Sequence, residues 1–85
     1  RLLAASDGTP ITLEGDYGVA YYVILDGAAQ LLDDDMPVHH LGPGDGFGEQ
    51  AILHDVPQPA TVRAVGDTTL VAVDRRAFQR ARQGE

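Results

Sequence analysis

The feature that most constrains this chain is the stretch from Gly42 to Val62, Gly-Pro-Gly-Asp-Gly-Phe-Gly-Glu-Gln-Ala-Ile-Leu-His-Asp-Val-Pro-Gln-Pro-Ala-Thr-Val. Its glycines at alternate positions, Gly42, Gly44, Gly46 and Gly48, imply backbone conformations that a side chain would forbid, or close approach to another group. Phe47 is the one large apolar group among them and is expected to anchor the turn to the core. Glu49-Gln50-Ala51-Ile52-Leu53 suits a turn or two of helix, which Pro57 and Pro59 end by forcing extended chain. Thr61-Val62 opens a β-type run. A glycine-rich strand end entering a short helix leaves free backbone N–H groups beside a positive dipole end, the makings of an anion cradle.

The same residues carry a resemblance. Gly48-Glu49-Gln50-Ala51, a short helix, Pro57, then Ala60-Thr61-Val62 resembles the phosphate-binding cassette of cyclic nucleotide-binding domains. The pattern there is Phe-Gly-Glu-x-Ala, a short spacer, then Pro-Arg-x-Ala-Thr-Val, and this sequence fits it without a gap. The resemblance extends to Ile11-x-x-Glu14-Gly15-Asp16, to Tyr21-Tyr22-Val23-Ile24-Leu25-Asp26-Gly27 and to Leu41-Gly42-Pro43-Gly44-Asp45, so it covers residues 8 to 78. It implies a β-roll, a ligand of the cAMP or cGMP class, and a C-terminal helix that closes over that ligand. Carried over by position, the ligand-binding candidates are Phe47, Gly48, Glu49, Gln50, Ala51, Gln58, Pro59, Ala60 and Thr61. Glu49 matches the acid that holds the ribose hydroxyl in the family; read by itself, it complements the dipole of the first helical turn.

Two positions depart from the pattern. Gln58 stands where the family has an Arg that pairs with the cyclic phosphate, and an amide supplies no charge. Pro59 stands where Ala is usual and has no N–H to point at the phosphate. Arg63 is the nearest cation, but it falls well into the following strand.

The rest of the chain supports a mainly β reading. Arg1 to Ser6 fits a helix end or a lead-in strand, Asp7-Gly8-Thr9-Pro10 a turn, and Ile11 to Glu14 a short half-buried strand. Val19 to Asp26 is the strongest strand, with Tyr21, Val23 and Leu25 on one face and Tyr22, Ile24 and Asp26 on the other. Both faces are largely apolar, which predicts a strand sandwiched in the core. Asp26-Gly27 reads as a hairpin turn, with Ala28 to Leu32 as the returning partner. Asp33-Asp34-Asp35 is a hairpin tip, and Pro37 to Leu41 another strand. Beyond the cassette, Thr61 to Val65 and Thr68 to Val73 are strands around a Gly66-Asp67 turn. Asp74 is a helix N-cap, and Arg75 to Arg82 a helix anchored by Phe78, its arginines forming a solvated face or a contact surface for a parent protein. Some seven short strands at close spacing predict an antiparallel β-roll or jelly-roll-like barrel with a short cassette helix and a C-terminal helix.

Length bounds the rest. Eighty-five residues suffice for one domain, 1–85. A domain this small buries only about 60–65% of its unfolded surface. The first residue is Arg and no signal-peptide pattern follows, so a fragment of a longer protein is expected. The absence of cysteine rules out disulfides and thiolate metal sites and fits a cytoplasmic location. A net charge of −7 disfavours direct nucleic-acid binding, and no apolar run approaches a membrane span. His39 and His40 are adjacent and would point to opposite faces of a strand, so they cannot chelate one metal together. The Asp33 to Asp35 tip lacks the carboxylate spacing of a calcium loop. No nucleophile–base pair stands out, and no catalytic residue is assigned. The reading is a regulatory module and not an enzyme, sensing cAMP, cGMP or another small anion with weak or lost affinity. The alternative is a degenerate β-roll used for packing against its parent or a partner. The parent class, whether transporter, channel, kinase or transcription regulator, stays open.

Overall fold

The computed structural model describes residues 1 to 83; residues 84 and 85, which the single-domain expectation includes, lie outside the described residues. In chain order the elements are β1 (Leu2–Ala5), β2 (Pro10–Thr12), β3 (Ala20–Asp33), β4 (Met36–Leu41), β5 (Gly46–Phe47), α1 (Glu49–Leu53), β6 (Thr61–Asp74) and α2 (Arg75–Gln83). All strand pairs are antiparallel. The sheet runs β1-β6-β3-β4, with β2 added to β6 and β5 added to β3. The mainly β roll expected from the sequence is therefore the architecture found. Arg1 to Ser6 resolves as a strand, since Leu2 to Ala5 pair with Thr68 to Val71.

Among the described residues the strand count is six, not seven, and the reason is physical. Asp26-Gly27 is not a hairpin turn, and Gly66-Asp67 does not separate two strands. Both lie inside unbroken 14-residue strands, β3 and β6, which pair with each other along their length. The register slips between Ile24 and Asp26 and again between Asp26 and Ala28, so the irregularity is a bulge. Gly27 has φ +94°, and a Cβ there would lie 2.6 Å from the Asp67 carbonyl oxygen and 2.8 Å from Thr68 Cα. Positive φ serves a bulge as well as a turn, so Asp-Gly alone does not choose between them. Thr68, 2% exposed, joins the two irregular stretches. Its hydroxyl donates to the Ala28 carbonyl at 2.8 Å and accepts from the Ala28 N–H at 3.3 Å.

The bulges divide the long pair into two halves that meet over one core. Ile24 and Leu70 come from one half, Ala29 and Val62 from the other, and Leu41 and Phe47 complete the cluster. The expectation that both faces of β3 are core is corrected: Ile24 is fully buried, while Tyr21 and Val23 are half-buried and Leu25 is exposed. Tyr21 is covered by Phe78 of α2, their ring centroids 5.1 Å apart, so Phe78 anchors the C-terminal helix. The Asp74 carboxylate accepts from the Ala77 N–H at 2.7 Å and caps α2. The Asp33 to Asp35 tip is a tight β3–β4 connection, with φ +53° at Asp34 and +66° at Asp35.

Candidate functional site

The cassette begins where the chain leaves β4. The Gly42–Asp45 turn closes on itself, with the Asp45 carboxylate accepting from the Gly42 N–H at 2.8 Å. It is fixed to β3 by two backbone bonds, Gly44 N–H to the Ile24 carbonyl and Ile24 N–H to the Asp45 carbonyl. β5 then pairs Gly46 and Phe47 with Val23 and Tyr22. Phe47 is 6% exposed and stacks on Tyr22, which is the anchoring that its isolation among glycines implied. Gly48 turns the chain into α1 at φ +95°, a left-handed conformation that carries no side-chain cap.

Ala51 and Ile52 bury one side of the five-residue α1. Gly18 makes that packing possible, because a Cβ there would lie 2.6 Å from the Ala51 Cβ. After α1 the chain reaches Gln58, which two backbone bonds pin to the turn before β3. Gln58 N–H donates to the Asp16 carbonyl at 2.7 Å, and Gly15 N–H donates to the Gln58 carbonyl at 2.9 Å. Gln58 is 7% exposed, and its side-chain nitrogen lies beside Gly18 and Gly48.

The two ends of the cassette thus become two lips of one cavity of ≈ 240 Å³. Phe47, Gly48, Glu49 and Gln50 form the first lip, and Gln58, Pro59 and Ala60 the second. Leu31, Leu41 and Val62 make an apolar floor, with His39 beside them. Seven of the nine residues assigned from the sequence therefore share this cavity. Ala51 lies beneath it, fully buried, and Thr61 faces elsewhere, its hydroxyl accepting from the Glu14 N–H at 3.0 Å. The floor was missed because its residues lie on strands distant in sequence; period-two alternation in β4 and β6 was the signal that could have found them.

Among the described residues no Lys or Arg lines the cavity, and Glu49 and His39 are the titratable ones that do. Arg63 follows Val62 in β6, so it projects from the opposite face, where its guanidinium donates to the Gln30 side chain at 3.1 Å. Arg75 pairs with Asp55 at 2.7 Å, tying the start of α2 to the loop after α1. His39 reaches the cavity and its neighbour His40 does not. Among the described residues no group of three His, Asp or Glu side chains comes together as a metal site. No helix there is long and apolar enough to cross a membrane.

A family model for the cyclic nucleotide-binding domain matches residues 3–85. The chain belongs to that family. A cAMP-dependent protein kinase regulatory subunit from Yarrowia lipolytica is 36% identical over 73 residues, covering 86% of this chain and 20% of its own length. The chain thus spans about a fifth of that curated relative. A solved structure of PKAR CBD2 with bound Sp-2Cl-cAMPS superposes with a TM-score of 0.90 at 32% identity, covering 94% of this chain and 55% of that one. The regulatory subunit of a cAMP-independent protein kinase A from Trypanosoma brucei superposes with a TM-score of 0.88 at 27% identity, covering 93% and 30%. This cyclic nucleotide-binding domain therefore resembles both a relative solved with bound Sp-2Cl-cAMPS and one described as cAMP-independent.

Proposed function

We propose that the chain is a regulatory module of a longer protein, that its cassette cavity takes a small ligand of the cyclic nucleotide class, and that its affinity for cAMP and cGMP themselves is weak or lost. The observation that carries the reading is the charge of the cavity. Both cassette lips are present, but Gln58 offers an amide where a phosphate needs a cation, and among the described residues no Lys or Arg lines the walls. Losing one partner of a buried charged pair costs about 2–5 kcal/mol. At ~1.4 kcal/mol per tenfold, a micromolar site falls to roughly millimolar. The domain's net charge of −7 adds to the opposition.

The module is regulatory and not catalytic, and its output runs through α2. The Arg75–Asp55 pair links that helix to the cassette loop, so a ligand that moves α1 is felt at α2. The regulatory-subunit relatives favour a kinase-type parent, and the cysteine-free sequence favours a cytoplasmic one. Titration calorimetry with cAMP and cGMP tests the reading: no saturation is expected below about millimolar, and micromolar saturation by either overturns it.

A second reading is favoured by the Gln58 side chain lying against Gly18 and Gly48. There the roll serves packing alone, and no small ligand of any charge saturates the cavity.

A further inference from the structure

We infer that the chain holds a second ligand site, in the cavity beneath the turn between β2 and β3, and that this site takes a small alkylammonium cation. It is separate from the cassette cavity: of the residues lining the two, only Gln58 is shared.

The cavity, of ≈ 140 Å³, lies between β2, the start of β3 and the turn that joins them. Thr12 and Gln58, each 7% exposed, form its floor with the half-buried Ile11 and Tyr22. Asp16, Tyr17 and Val19 form its rim. That rim is held in place by backbone bonds. Asp16 N–H donates to the Leu13 carbonyl at 3.1 Å, the Asp16 carbonyl accepts from the Gln58 N–H at 2.7 Å, and Tyr17 bridges to Pro57. Phe47 stacks on one face of Tyr22 and lines the cassette cavity, not this one, so Tyr22 presents its other side here.

Charge sets the sign of the ligand. Asp16 has no ion-pair partner, and no Lys, Arg or His lines the cavity, among the described residues. Arg75, which reaches the Gly18 carbonyl at 3.5 Å, is neutralised by Asp55 at 2.7 Å. Arg1 shares a neighbouring recess with Asp74. The net charge of −7 draws cations towards the domain and turns anions away. The rest of the lining sets the ligand's surface. Tyr17 and Tyr22 contribute two phenol rings, and Ile11, Leu13 and Val19 add aliphatic wall. The face of a tyrosine attracts a cation within about 6 Å of its centre, and quaternary ammonium ligands are recognised in this way. A bare metal ion needs several oxygen ligands, and this lining has one carboxylate. An ammonium that carries methyl groups meets both the carboxylate and the apolar wall. At ≈ 140 Å³ the cavity falls below the about 300–1,000 Å³ usual for drug-sized ligands, so it takes a compact head and not a nucleotide.

The test is nitrogen–proton correlation NMR on this chain, titrated at constant ionic strength with choline, with its uncharged isostere 3,3-dimethylbutan-1-ol, and with ammonium. Choline is expected to move the amides of Thr12, Asp16, Tyr17, Val19 and Gln58, with half-saturation at about millimolar concentration, as suits a small ligand on an open site. The alcohol lacks the charge and ammonium lacks the methyl groups, so each binds at least about threefold more weakly. Asp16→Asn and Tyr17→Ala each lose about threefold in choline affinity. Both keep the melting temperature, because the two side chains are exposed. Amides that stay in place up to about 50 mM choline overturn the inference. So does an alcohol or ammonium that binds as tightly as choline, or a choline affinity unchanged in either variant. Choline shifts confined to Gly48, Glu49 and Gln50 also overturn it, since they put the cation on the cassette carboxylate instead.

Discussion

Restoring the missing charge should convert the cavity into a cAMP site, and the structure sets the size of the effect. Gln58 is held by backbone bonds on both its N–H and its carbonyl, so a longer side chain at this position starts from a fixed point on the lip. An arginine there extends into a cavity that no Lys or Arg lines among the described residues. The cavity opens to solvent, so the low end of the range for a charged pair applies, about 2 kcal/mol or ~30-fold. Pro59 lies on the same lip and lacks an N–H. Pro59→Ala returns one donor, worth about 1.5 kcal/mol against a charged acceptor. Alone it gains little, because Glu49 still faces the phosphate without a counter-charge. The double variant should gain at least ~300-fold, more than the product of the single gains, since both groups serve one phosphate and adjacent sites couple by about 0.5–3 kcal/mol. Calorimetry of all four proteins with cAMP measures it. A double variant that binds no better than wild type refutes the reasoning and shifts the defect away from Gln58 and Pro59.

Three further predictions concern the scaffold. Thr68→Val removes the hydroxyl that satisfies both backbone groups of Ala28 and should cost about 1–3 kcal/mol, while Thr68→Ser costs less; equal urea melts would refute this. Gly18→Ala drives a methyl to 2.6 Å from the buried Ala51 Cβ and should cost ~1–3 kcal/mol, roughly 4–8 °C of melting temperature per kcal/mol; an unchanged melt would show that α1 yields freely. Asp55→Ala breaks a largely exposed ion pair and should change stability by only ~0.2–1 kcal/mol, yet hydrogen exchange at the start of α2 should quicken; unchanged exchange would remove the proposed link between cassette loop and α2.

Residues whose role is decided locally could be read from the sequence. Phe47 anchors, Asp74 caps, the Asp33 to Asp35 tip turns, and Phe78 seats α2, each for a reason visible within a few neighbours. Asp26-Gly27 and Gly66-Asp67 misled because their turn chemistry is genuine and their partners lie forty residues away: only the β3–β6 pairing makes them bulges. The two cassette lips were legible because one continuous motif carries both. The floor was not, since Leu31, Leu41 and Val62 reach it from three strands. Nor could spacing reveal that Thr61 turns towards Glu14, or that Arg63 stands on the face away from the cavity.

The central claim is that the space between the cassette lips is the ligand site and that its want of an Arg at position 58 weakens its hold on cyclic nucleotides. Amide chemical shifts followed by nitrogen–proton correlation NMR test it most directly, during parallel titrations of the wild type and the Gln58→Arg, Pro59→Ala variant with cAMP. The account predicts that cAMP moves the amides of Gly48, Glu49, Gln50 and Ala60 in the variant, while at the same sub-millimolar concentration it leaves those of the wild type in place. Saturating shifts of those amides in the wild type, or variant shifts confined to other parts of the roll, would contradict it.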